Sequence, residues 1–272
     1  MPPPRSLLDS NNQPPPCPAP PSPTRRLWAG VAVALAALTP PLAPARAAPE
    51  KCPASAKNLE LGAALPVTRA ALRERKNVVV VALGSSSTQG HGATSEANTF
   101  PRQMDIQLRR RYADVKVGFT VLNRGVGGQD VDEMMERMDR DVLAHKPDLL
   151  IWQVGTNAAM RGMPVDVFRA RVTAGVRRAK AAGADVVLMT PQYVPAVVSL
   201  ANEEDYITAL EEIARETGAG LFRRWGIMRE WVTGERMPYA QFMIPDGLHL
   251  NDFGQRCIGK LIAKSIERAM GD

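Results

Sequence analysis

Residues 78–83, Val-Val-Val-Val-Ala-Leu, restrict the fold more than any other stretch of the chain. A strand with one wet face alternates apolar and polar side chains. An unbroken, mostly β-branched run suits a strand buried on both faces, which requires helices packed above and below the sheet. The run stops at Gly84, so a turn follows the strand directly.

The rest of the chain supplies the matching parts. Residues 100–112 read as a helix, with Thr99 as N-cap and Pro101 in the first turn. Further strands are expected at residues 115–122, 149–154, 186–190 and 220–222. Helices are expected at 131–143, 165–182 and 203–216, near 225–232, and from Asn251 to about residue 269. Strands spaced by helices imply βαβ units and a parallel sheet covered on both faces. Ligands of such sheets sit at the carboxyl ends of the strands, so the loops after strands are where chemistry is to be sought.

The front of the chain is of another kind. Pro and Ser dominate residues 2–23, which cannot bury enough apolar surface to order themselves. Arg25-Arg26, an apolar run over 27–38 and Ala45-Arg46-Ala47 then make up the n-region, h-region and small-residue cleavage site of a secretory signal. A membrane anchor is the rival reading, but the run is well short of the roughly 20 residues that span a bilayer. The expected organisation is a signal peptide over 1–47, an N-terminal segment and helix over 48–75, and a catalytic domain over 76–272. The expected location is periplasmic or extracellular, with no stable membrane anchor after cleavage.

The chain carries 34 basic and 28 acidic residues, a formal +6. Residues 1–47 hold four arginines and one aspartate, so the remainder has 30 basic against 27 acidic groups, a formal +3. No Lys/Arg block with interleaved aromatics remains, so nucleic acid is not an expected partner. Beyond the leader only Cys52 and Cys257 are left. In an oxidising compartment they can form one disulfide tying the N-terminal segment to the last helix. The alternative is a loose Cys52 and a Cys257 that is simply core.

Four loops carry candidate chemistry. The first, Gly84-Ser85-Ser86-Ser87-Thr88-Gln89-Gly90, can present a serine hydroxyl at the sheet edge, but a phosphate nest or a plain turn would look the same. The second, Asn123-Arg124-Gly125-Val126-Gly127-Gly128-Gln129, lets backbone approach a ligand closely. The third, Gly155-Thr156-Asn157-Ala158, places an amide at a strand end, for an oxyanion or for a turn. In the fourth, Asp246-Gly247-Leu248-His249, the carboxylate can meet one ring nitrogen and leave the other for a nucleophile. Metal binding is the competing use of Asp and His, but His91 and His145 show no ligand-like spacing with His249.

Taken together, the order and spacing of these loops resemble the SGNH (GDSL-like) hydrolase superfamily, from residue 78 to about residue 254. The resemblance implies an α/β fold, a three-layer α/β/α sandwich with a flavodoxin-like parallel sheet of about five strands. It implies Ser86 as nucleophile, Asp246 and His249 as the base dyad, and the Ser86 and Gly128 backbone with the Asn157 amide as oxyanion hole. No cofactor or metal is needed for that chemistry. Two positions depart from the family pattern. Ser85 stands where the family's usual Asp precedes the nucleophile, and Ala158 where Asp often follows the Asn. The implied activity is serine esterase on a small acyl ester or acylated carbohydrate, short acyl groups such as O-acetyl being favoured. An O-acyltransferase, or a lysophospholipase or thioesterase, would use the same triad, and a catalytically silent binding module is the remaining alternative. No substrate-binding residue is assigned from the sequence.

Overall fold

A computed structural model describes residues 51–74 and 77–271. The expected signal peptide lies outside the described residues. Five parallel strands form the sheet: β1 (Val78–Gly84), β2 (Phe119–Gly125), β3 (Leu149–Gln153), β4 (Asp185–Met189) and β5 (Gly220–Phe222), in the order β2-β1-β3-β4-β5. This is the expected three-layer α/β fold.

The apolar runs have the expected cause. Val78 and Val80 of β1 face one core, while Val81 and Leu83 face the other. The same division separates Leu149 and Ile151 from Leu150 and Trp152 in β3. Helices Phe100–Arg111, Arg224–Thr233 and Asp252–Met270 contribute to the first core, and Val131–Glu136, Val165–Ala181 and Glu203–Thr217 to the second. Burial on both sides leaves no polar face on the central strands.

Three expectations need correction. The second strand begins at Phe119, because residues 113–115 form a 3-10 turn that ends on left-handed Lys116. The single helix expected over 131–143 is broken into Val131–Glu136, Met138–Asp141 and a 3-10 turn, Leu143–His145. Thr99 does occupy the N-cap, but its hydroxyl donates backwards to the Glu96 carbonyl at 2.9 Å rather than capping the helix.

The expected boundary at residue 76 is not a structural one. Residues 49–272 form one compact unit. The backbone N–H of Leu221 donates to the carbonyl of Leu61 at 2.8 Å, and Thr68 donates from N–H and hydroxyl to Asp185, both at 2.8 Å. Cys52 and Cys257 are joined by a disulfide, with their Cα atoms 5.3 Å apart.

Candidate active site

The turn that carries Ser86 is set by Gln153, the last residue of β3. Its side-chain oxygen accepts from the Ser85 N–H (2.9 Å), the Ser85 hydroxyl (3.0 Å) and the Thr88 hydroxyl (3.1 Å). Ser85 is therefore buried and committed, and Ser87 is buried too. Ser86 opens the short Ser86–Gln89 helix, where its N–H has no intrahelical acceptor.

Asp246 and His249 come from the loop ahead of the last helix. Asp246 Oδ1 accepts from the N–H groups of Leu248 and His249, each at 2.9 Å, which folds the four residues into a tight turn. Asp246 Oδ2 then lies 2.5 Å from His249 Nδ1, and His249 Nε2 lies 2.8 Å from Ser86 Oγ. An ionised carboxylate only accepts, so Nδ1 carries the proton and Nε2 offers its lone pair to the serine hydroxyl. Burial pushes the Asp246 carboxyl up, but the hydrogen bonds from His249 and Leu248 prevail and hold it below the usual range. It stays charged beside the ring.

The third part is the loop after β2. Gly125 lies so close to the Ser86 turn that a Cβ there would fall 2.0 Å from the Gln89 nitrogen. The Val126 N–H donates to the Gly84 carbonyl at 3.0 Å, tying the two loops together. Gly128 faces open space, and its carbonyl accepts from Arg161 at 2.6 Å. Asn157 donates from Nδ2 to the Gln129 carbonyl at 2.8 Å. One of its two amide hydrogens is used there, and the second is the one an oxyanion would meet.

Sequence reading missed the residues that brace this loop. Arg161 also reaches the Asp130 carboxylate (2.6 Å) and Glu133 (3.1 Å). Its place four residues after Asn157 on one helical turn is the signal that could have found it. Arg137, buried, donates to the carbonyls of Gly84 (3.0 Å) and Arg124 (2.9 Å) and to the Gln129 side chain (2.6 Å). It thereby spans the ends of β1 and β2. His91 was also missed: the fold sets its ring 4.3 Å from that of His249. Nearby, Phe242 and Val194 are fully buried in the core, and Tyr193 packs edge-on against Trp225.

Arg137 depends on Asp141, which is 3.0 Å away. The hydrogen bond from Arg140, with the Arg137 charge, lowers the Asp141 carboxyl from its ordinary 3.8 to about 2. A lowered acid stabilises the fold fully above its unfolded value, and that gain is lost as pH falls toward about 2. Because Arg140 is exposed and screened by solvent, Asp141→Asn should cost only about 1 kcal/mol in urea unfolding at pH 7, and the two proteins should converge near the lower limit. An equal deficit at both pH values would show that the loss is not electrostatic.

A model of the non-GDSL lipase-like family matches residues 51–272. The chain belongs to this family. The SGNH-type resemblance read from the four loops agrees with that placement. An acetylxylan esterase of Geobacillus stearothermophilus is 28% identical over 122 residues, covering 38% of this chain and 53% of that protein. An arylesterase of Vibrio mimicus is 22% identical over 187 residues, covering 69% of this chain and 87% of its own. Among solved structures, a two-domain esterase active on acetylated mannans superposes with a TM-score of 0.64 at 19% identity, over 78% of this chain and 56% of that one. The chain thus spans little more than half the length of the acetylxylan esterase and of the mannan-active enzyme. At 19% identity the structural likeness is one of fold.

Proposed function

We propose that the protein is a carboxylic ester hydrolase in which Ser86 attacks the acyl carbon. The relay Asp246–His249–Ser86, at 2.5 and 2.8 Å, carries this reading. His249 Nε2 takes the hydroxyl proton as the Ser86 Oγ–carbon bond forms, then returns it to the departing alcohol as the ester bond breaks. Asp246 holds the ring and stabilises its cationic form. The backbone N–H groups of Ser86 and Gly128 and the second Asn157 amide hydrogen meet the oxyanion. Water, deprotonated by the same nitrogen, then releases the acid and restores Ser86.

Short acyl groups on carbohydrate are the substrate class we favour. Gly127, Gly128 and Asp246 are exposed, so the relay opens on a surface that a polymer chain can approach. The relatives named for acetylated xylan and mannan support the same class. Action outside the cytoplasm fits the Cys52–Cys257 disulfide and the leader-like residues 1–47. Among the described residues no helix is long and apolar enough to cross a membrane.

Acetate release from acetylated xylan and mannan, measured beside hydrolysis of p-nitrophenyl acetate, butyrate and octanoate, tests the substrate class. Acetate should leave both polymers, and the small ester rates should fall with acyl length. Faster turnover of octanoate, with neither polymer deacetylated, would move the protein to lipid esters.

A further inference from the structure

We propose that His91, Asp246 and His249 form a binding site for a zinc-like divalent transition metal, whose occupancy switches the catalytic base off. Among the described residues these three side chains each offer a ligand atom, all within 4.8 Å of one another. Tetrahedral zinc with nitrogen at about 2.0–2.1 Å sets its ligand atoms roughly 3.4 Å apart. Closing that gap falls chiefly to rotation of the exposed His91 side chain about its held backbone. Two imidazoles and one carboxylate are a donor set that transition metals accept, with water filling the open position.

The placement of His91 is built into the fold. The His91 N–H donates to the Ser86 carbonyl at 2.9 Å. Next to it, Gly92 has φ +89°, and a Cβ there would meet the Leu250 carbonyl oxygen at 2.5 Å. Two residues on, Thr94 N–H and hydroxyl donate to Asp252 at 2.8 and 2.6 Å. The segment that carries His91 is thus tied at His91 to the Ser86 turn, and just beyond it to the segment that carries His249. Ligands held in place before the cation arrives lose little freedom on binding it.

Loss of catalysis follows from imidazole chemistry whichever nitrogen of His249 is used. A metal on Nε2 takes the lone pair that would accept the Ser86 proton. A metal on Nδ1 leaves the ring's one proton on Nε2, so again no lone pair faces Ser86. The cation also draws Asp246 away from the ring. Nothing is made or broken covalently in the substrate, and chelation restores the base.

The site is tested in two arms, of which only the second rests on the proposed hydrolysis. Zinc chloride is titrated by calorimetry into Ser86→Ala protein, and into the same protein carrying His91→Ala or His145→Ala. One zinc per chain is expected, with affinity lowered at least about tenfold by His91→Ala and unchanged by His145→Ala. In the second arm, zinc should inhibit p-nitrophenyl acetate hydrolysis reversibly, with EDTA restoring the rate. Measured against its own zinc-free rate, His91→Ala should require at least about tenfold more zinc for half-inhibition. Equal zinc affinity with and without His91, or equal effects from magnesium, which prefers oxygen ligands, would overturn the proposal. A protein that binds zinc through His91 yet hydrolyses no ester would keep the site and discard the esterase reading.

Discussion

Ser86→Ala should lower kcat for a short ester by about 10⁶ and abolish labelling by a fluorophosphonate. The size follows from the unity of the relay: without its oxygen, His249 has no proton to take and no bond to form. Ser85→Ala behaves differently. It removes one of three donors to Gln153, so about 1 kcal/mol of stability is lost while the attacking oxygen stays in place. Ser87→Ala leaves both intact. Activity surviving in Ser86→Ala but lost in Ser85→Ala would falsify the assignment, and with it the view that Gln153 selects which serine is free.

Cys52→Ala is expected to cost about 2–4 kcal/mol of stability, because the bond closes a loop of 205 residues in the unfolded chain. For a domain of this size that lowers the melting temperature by about 5–15 °C. Melts with and without reductant make the check: wild type should fall under reduction to where the variant already is. Coincident wild-type curves in both conditions would mean that the bond contributes nothing. Cys257 is fully buried, so substitution at the half-buried Cys52 separates loss of the bond from damage to the core.

The two predictions differ in how far the sequence alone could carry them. β1 and β3 are legible because burial on both faces favours apolar residues, leaving unbroken runs until the strand ends. β2 is not. It is an edge strand paired only with β1, and it continues through Asn123 and Arg124, which an expectation of apolar runs treats as loop. The helix expected over 131–143 failed for a different reason: its apolar spacing runs on, but the chain breaks at Arg137, whose side chain turns in to hold the carbonyls of Gly84 and Arg124.

At the site, Ser86, Gly128, Asn157, Asp246 and His249 are read from a pattern of four loops, none decisive alone. The structure brings Ser86, Asp246 and His249 into one relay and ties Asn157 to the loop that holds Gly128. His91 had no such signal. Its nearness to His249 arises from two turns packed on each other across 158 residues of sequence, a separation no local pattern encodes.

The contact between Leu61 and β5 has a bearing on how the domain behaves among other molecules. The outer rim of a sheet presents unpaired backbone groups on which strands of neighbouring chains can grow. β5 is one of the two rims, and the Leu61 carbonyl occupies it at Leu221. A fragment trimmed to begin at residue 76 would keep every residue of the relay, yet expose this rim to its neighbours. The segment ahead of the first strand thus covers a donor on which a neighbouring strand could otherwise pair.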